Sequence, residues 1–393
     1  MSDQSAVGDG IEIPQIAPGT PVATHRWLTP INRRRLTIFR RHRRGFWSLC
    51  LFLVVFAISL FAEVIANDRP IIASYKGEIL FPILKDYPDE KFGGFTAFAD
   101  YRTKDTADEI NAHGWMLWPP IRFSYRTVNY ASATPAPTPP TWALSPQQCE
   151  AAAAAQGQAG AGSKSCAGIE KDWLGTDEVD RDVLARVIYG TRASILFGLA
   201  LTIVSSIIGV AAGALQGYFG GWTDLSLQRF IEVWSSLPQL YILIIISSFI
   251  APSMISLLVI LSLFSWVNLV GVVRAEFLRA RNFEYVRAAR ALGLSNATII
   301  VRHVLPNAMV ATLTLLPFVM SGSVMALTAL DFLGLGQPPG SASLGELLSE
   351  GKNHLEAPWL ALAGFASTGL ILSLLVFIGE GVRDAFDPRK TLA

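Results

Sequence analysis

Charge is what this 393-residue chain has least of: 16% of its residues are Asp, Glu, Lys or Arg, against about 25% in an ordinary soluble domain. The 32 basic and 31 acidic residues nearly cancel, so no overall basic excess speaks for nucleic acid as a partner. Three cysteines are too few for a disulfide scaffold. No Gly-x-x-x-x-Gly-Lys-Ser/Thr loop occurs, so the chain does not cradle ATP itself. There is no His-Glu-x-x-His, and Gly340-Ser341-Ala342-Ser343-Leu344-Gly345 misses a nucleophile elbow by one residue. Neither catalysis, nor a metal site, nor a cofactor of the chain's own is expected. Apolar residues, by contrast, make up 51%, in runs long enough to cross a bilayer, which indicates a membrane protein.

Residues 1–45 form a polar, Gly- and Pro-containing lead that reads as disordered to about residue 25. It ends in the block Arg33, Arg34, Arg35, Arg40, Arg41, Arg43 and Arg44. A first span, 46–66, follows at once. A signal peptide would have a shorter apolar core nearer the start, so the block is expected to hold the N-terminus in the cytoplasm. Nucleic-acid binding is the alternative for those arginines, disfavoured by the adjoining span.

Residues 67–190 are a polar insertion delivered to the outside, with acidic residues outnumbering basic ones across 68–192. Its aromatic part, Tyr75 to Tyr130, is expected to fold as a small lobe. Pro135 to Pro140 reads as a stiff linker, and Ala151 to Gly162 is low-complexity. Cys149 and Cys166 flank that segment. Outside the cytoplasm a disulfide between them is expected, closing a loop for roughly 3 kcal/mol. Unpaired thiols are the competing state; a metal site lacks a nearby His. Cys50, inside the first span, reads as inert packing.

Val183, Leu184, Val187 and Ile188 suggest a short amphipathic helix lying on the outer membrane surface. Five spans follow within 191–380, at about Ala193–Gln216, Arg229–Ile250, Met254–Val273, Met309–Leu333 and Trp359–Ile378. The tail 381–393 returns to the cytoplasm. In the second span Gly209, Gly213 and Gly217 recur at every fourth residue, a ridge for close helix approach within this chain or across to a partner. Glu232, Asp331 and Glu380 sit near span edges, where structural pairing is favoured over a proton relay. Glu232, with Trp234 and the Ser235-Ser236-Leu237-Pro238 break, is the best candidate to border a translocation path.

Between the fourth and fifth spans lies the charged loop 276–306. Arg287, Ala288, Ala289, Arg290 and Ala291 favour helix, and Gly293 suits a left-handed stop. Ser295 can cap a second helix, Asn296–Val304, which Pro306 is expected to close. The result is a helix–turn–helix that a soluble partner could grip. An ordinary basic cytoplasmic loop is the bland alternative.

Ala288-Ala289, three residues, Gly293, and then Leu305-Pro306 resemble the loop signature of ABC importer permeases. Leu174-Gly175-Thr176-Asp177, with Arg181-Asp182-Val183-Leu184 and Arg186, resembles the entry to the core of the dipeptide/oligopeptide C-type subunits. Ala66-Asn67-Asp68-Arg69-Pro70, Asp100-Tyr101 and Gly114 to Phe123 carry a narrower similarity to the E-type permeases of Yej-type peptide importers, associated with peptides and microcin C. The resemblance implies an all-α polytopic fold of six transmembrane helices, the type I importer permease, with a mixed extracytoplasmic lobe after the first helix. It further implies a bacterial inner-membrane location and a heterodimer with a second permease. A periplasmic peptide-binding protein and a cytoplasmic ABC ATPase carrying the ATP and Mg complete the expected partners, beside membrane lipid. The ATPase-coupling residues it implies are Glu284, Arg287, Ala288, Ala289, Arg290, Gly293, Ser295, His303 and Pro306. Two positions depart from the family pattern: Arg287 stands where a leading Glu is usual, and His303 where Ile is. A secondary transporter or channel, and a membrane scaffold or sensor using its outer lobe, are the competing functions. Inverted repeats or mid-depth charges, which would favour the former, are not found.

Overall fold

A computed structural model describes residues 30–130, 132, 134–155 and 169–387. The apolar runs become helices because only a helix satisfies every backbone group within its own segment in lipid. A cationic helix α1 (Pro30–Arg41) leads into α2 (Arg43–Leu60) and the single turn α3 (Ala62–Ile65). The insertion follows, with β1 (Ile72–Tyr75), β2 (Glu78–Leu80), α4 (Lys104–His113), β3 (Gly114–Leu117) and α5 (Pro146–Ala155). Then come α6 (Val183–Phe219), α7 (Gly221–Ser236), α8 (Gln239–Ser247), α9 (Met254–Ser265), α10 (Val267–Ala280) and α11 (Glu284–Ala291). A short helix α12 (Asn296–Thr298) runs through a wide π turn, Ile299–Val304, into α13 (Leu305–Phe332). Helices α14 (Leu344–Asn353) and α15 (Pro358–Phe386) are the last described elements.

Among the described residues five helices or helix runs are long and apolar enough to cross a membrane, and α7 with α8, bent by 66°, make a sixth if taken as one span. The bend falls at Leu237-Pro238, where proline removes a hydrogen-bond donor. Antiparallel succession of the spans puts the insertion at one end of the bundle. The 276–306 loop lies at the other, together with the arginine block and the C-terminal end of α15. There His42 lies 3.8 Å from Asp384, and the Arg35 guanidinium sits over Phe386.

The lobe is built on a three-stranded antiparallel sheet of order β2-β1-β3. Its core is Ala73, Tyr75, Leu80, Phe92, Tyr101 and Ile110, so the aromatic part folds as the composition suggests. Three expectations are corrected here. Residues 183–188 do not lie on the membrane surface: they are the first turns of α6, with Val183 buried among Leu347, Ala357 and Leu360. The Pro135–Pro140 segment is not merely a stiff linker but is packed onto the residues ahead of α6. Thr138 is buried, its N–H donating to Thr176 Oγ1 and its carbonyl accepting from Thr176 N. Nor does Pro306 close a helix, because the π turn ahead of it widens the backbone where its ring would otherwise meet a carbonyl one turn back.

Cys149 is buried and disulfide-bonded. Cys166 lies outside the described residues. Cys50 is a free thiol.

The glycine ridge serves contacts inside this chain. A Cβ at Gly209 would stand 2.5 Å from the Trp266 carbonyl oxygen, one at Gly213 2.8 Å from Val273 Cβ, and one at Gly217 2.5 Å from Phe277 Cβ. α10 therefore lies directly on the α6 backbone, as close as glycine alone permits.

A candidate coupling surface at the loop end

α11 has two faces. Val286 and Ala289 point inward and pack with Tyr218, Phe277, Ile299 and Val304. Glu284, Arg287, Ala288 and Ala291 recur at helical spacing on the opposite face and are all exposed. Ala289, expected among the docking residues, is only 4% exposed; it seats the helix against the end of α10 and presents nothing outward.

The helix ends as its sequence demands. Gly293 takes φ +74°, its N–H donates to the Arg290 carbonyl, and Leu294 N–H donates to the Ala289 carbonyl. This pair of bonds is a Schellman cap, which needs a left-handed residue at the glycine position. Ser295 Oγ then accepts from Thr298 N and caps α12. Arg290 is not a free polar contact: its guanidinium lies 5.0 Å from the Tyr218 ring centre, and Tyr218 donates to Asn296 Oδ1 at 2.8 Å. Asn307 Nδ2 joins Tyr285 Oη to the His303 carbonyl, at 3.2 Å each, so the His303 backbone is braced one turn from the exposed Pro306. Arg287 and Glu284 make no ion pair or side-chain hydrogen bond among the described residues.

Leu292 at the tip is 80% exposed and was not among the expected residues. An apolar side chain standing beside a glycine stop in a polar loop is the signal that could have found it. With Ala288 and Ala291 it gives a small-residue, apolar centre rimmed by Arg287 and Glu284, the usual anatomy of a protein–protein contact. α10, α11, the π turn and α13 share one buried cluster that includes Phe277, Val286, Val304 and Ala308.

Glu232 and Trp234 sit elsewhere. Glu232 is exposed and pairs with Arg229 at 2.6 Å. Trp234 stacks between Phe230 and Phe264 and donates to the Leu263 carbonyl at 2.8 Å, so it packs α7 on α9. Asp331 is buried and satisfied, accepting from Gln337 N and Ser343 Oγ, in keeping with structural pairing.

At the insertion end the residues before α6 build an ionic cluster that sequence reasoning did not find. Arg186 is fully buried. Its Nη1 lies 2.5 Å from Asp177 Oδ2 and 2.7 Å from Glu350 Oε1. Its Nη2 is 2.9 Å from Glu346 Oε2, close enough to pair but not aligned as a hydrogen bond. Arg181 Nε reaches Asp177 at 2.6 Å. Three carboxylates thus share two guanidiniums. Burial pushes the Glu350 carboxyl up to about 7, and Glu350 Oε2 has no hydrogen-bond partner among the described residues. Asp182 caps α6 by accepting from Ala185 N, and burial raises its carboxyl to about 8. The only signals in sequence were the i,i+4 pairs Asp177/Arg181 and Glu346/Glu350, which lie far apart along the chain.

Residues 193–392 match the family model for the inner-membrane component of binding-protein-dependent transport systems. The chain belongs to that family. This inner-membrane permease is 61% identical over 365 residues to the peptidoglycan transport system permease protein YejE of Agrobacterium fabrum, covering 93% of this chain and 95% of that one. It is 52% identical to the inner membrane ABC transporter permease protein YejE of Escherichia coli, over 93% and 99% of the two chains. Against the oligopeptide transport system permease protein OppC of Haemophilus influenzae the identity is 34%, over 55% of this permease and 70% of that one. Such a permease is the membrane-spanning subunit of an ABC importer.

Proposed function

We propose that this permease moves peptides, and that the exposed face of α11 is where a separate cytoplasmic ATPase drives it. The relatives' names point to peptides or peptide-bearing cell-wall material: one is a peptidoglycan transport permease, others are oligopeptide and dipeptide transport permeases. The single observation that carries the coupling role is the two-faced α11, seated by Val286 and Ala289 and presenting Arg287, Ala288, Ala291 and Leu292 outward. The loop end is assigned to the cytoplasm, with both termini, because the arginine block and the arginines of 274–303 lie there. The lobe is assigned to the periplasm, where a disulfide at Cys149 is stable and a peptide-binding protein delivers substrate. A second permease completes the path. ATP and Mg belong to the ATPase, and this chain contributes no cofactor site.

The force path is short. Closing ATPase domains displace α11, the π turn and α13 follow as one packed unit, and α13 shifts against α6. Gly293→Asp tests this in the assembled importer: the variant inserts and assembles, but peptide uptake falls to background while the ATPase keeps its basal rate. Full uptake by that variant overturns the coupling role.

A further inference from the structure

A cavity of about 410 Å³ opens between α8, the α9–α10 junction and α13, and among the described residues no charged one lines it. Its polar groups are Gln239, Ser265, Asn268 and Ser323. Two of these are already occupied: Ser265 Oγ donates to the Leu261 carbonyl and Ser323 Oγ to the Val319 carbonyl. Gln239 and Asn268 are exposed, and neither side-chain amide has a partner among the described residues. Asn268 lies midway along the span Met254–Ala280. Gln239 follows the Pro238 break, and the backbone N–H groups of Gln239 and Leu240 likewise take no acceptor among the described residues.

Open amides and a broken backbone at membrane depth are costly against lipid and persist where they line a watered cavity or face another polar surface. Helix packing inside this chain does not explain them, since both side chains are exposed and unpartnered among the described residues. A side-chain amide offers both donors and an acceptor, which matches the N–H and C=O of a main chain and ignores what the side chains carry. The absence of charge fits a ligand whose side chains vary in sign.

We propose that Gln239 and Asn268 form a hydrogen-bonding strip that takes the main-chain amides of an extended peptide as it passes through this subunit. The strip rests on the peptide reading above and adds the residues that touch the cargo.

The test uses the complete importer in vesicles, in a Cys50→Ala background, with Asn268→Cys and, as an exposed apolar reference, Phe365→Cys. A water-soluble maleimide is applied with and without the binding protein loaded from a mixed tripeptide library. The strip requires that position 268 reacts and that loaded binding protein with ATP slows the reaction at least fivefold, while position 365 is unaffected. In parallel, Asn268→Leu lowers tripeptide uptake about tenfold, the loss expected for one hydrogen bond to cargo, and Asn268→Ser recovers part of it. A position 268 that never reacts, or reacts equally with and without peptide, overturns the strip while uptake by the parent stays intact. A parent that takes up no tripeptide overturns the peptide reading itself, and the strip with it.

Discussion

Arg186→Met places a side chain of similar reach where a fully buried guanidinium now holds Asp177, Glu346 and Glu350. The variant leaves three carboxylates to Arg181 alone. Breaking a buried pair by deleting one partner costs about 3–5 kcal/mol, here on the contact that joins α6, α14 and the Asp177–Arg181 turn ahead of α6. Thermal unfolding in detergent micelles should show a fall on the order of 10 °C. Arg186→Lys keeps the charge but loses the fork that reaches several carboxylates at once, so it should fall between parent and Met. The pH dependence is the sharper check. Glu350 is raised from 4.5 to about 7, so the folded chain holds that proton more tightly than the unfolded one. Its contribution to stability is therefore full below about pH 4.5 and is lost as pH rises through 7, on the order of 3 kcal/mol over the whole range. Asp182, raised to about 8, acts in the same direction. The parent midpoint should drop between pH 5 and 8, and Glu350→Gln should remove Glu350's share of that slope. The Arg186→Met loss should be larger at pH 8, where Glu350 is a bare anion, than at pH 5. A Met variant as stable as the parent at pH 8 refutes the cluster as a structural tie.

Gly217→Ala puts a methyl 2.5 Å from Phe277 Cβ and 2.6 Å from the Arg274 carbonyl; overpacking of this kind costs about 1–3 kcal/mol, and an unchanged unfolding midpoint would count against close α6–α10 packing. Gly293→Ala meets nothing within 4 Å, so its cost is backbone strain alone, about 1 kcal/mol. Peptide-stimulated ATP hydrolysis should fall about fivefold while the midpoint drops by only about 2–4 °C; a variant with full stimulation would show that the left-handed stop is dispensable. Ala289→Leu overfills the seat of α11 and should weaken ATPase co-purification as strongly as a change on the outer face, whereas Ala288→Glu acts through the outer face without touching the midpoint.

The features legible in the sequence are those set by local chemistry. Gly293 as a stop, Ser295 as a cap, the break at Pro238 and the glycine ridge each follow from what one residue type permits. The aromatic lobe was legible because its apolar residues are concentrated in one segment. What escaped depends on residues distant in the chain. Residues 183–188 look amphipathic until α14 and α15 cover one side of them and α3 with the insertion the other, and Arg186 looks like an interfacial charge until Glu346 and Glu350 arrive from far along the chain. Pro306 signals a helix end only if the preceding turn is α-helical; a π turn removes the conflict. Ala288 and Ala289 are indistinguishable by composition, and only the packing of Val286 and Ile299 decides which of them faces out.

Site-specific cross-linking from the outer face of α11 tests the account most directly. With Ala288→Cys in a Cys50→Ala background, the assembled importer should form a cross-link to the ATPase subunit with a short bifunctional thiol reagent, and ATP should change its yield. A cross-link that forms only to extracytoplasmic protein, or none at all from an importer that still transports, would contradict the assignment of this helix as the point where the ATPase acts.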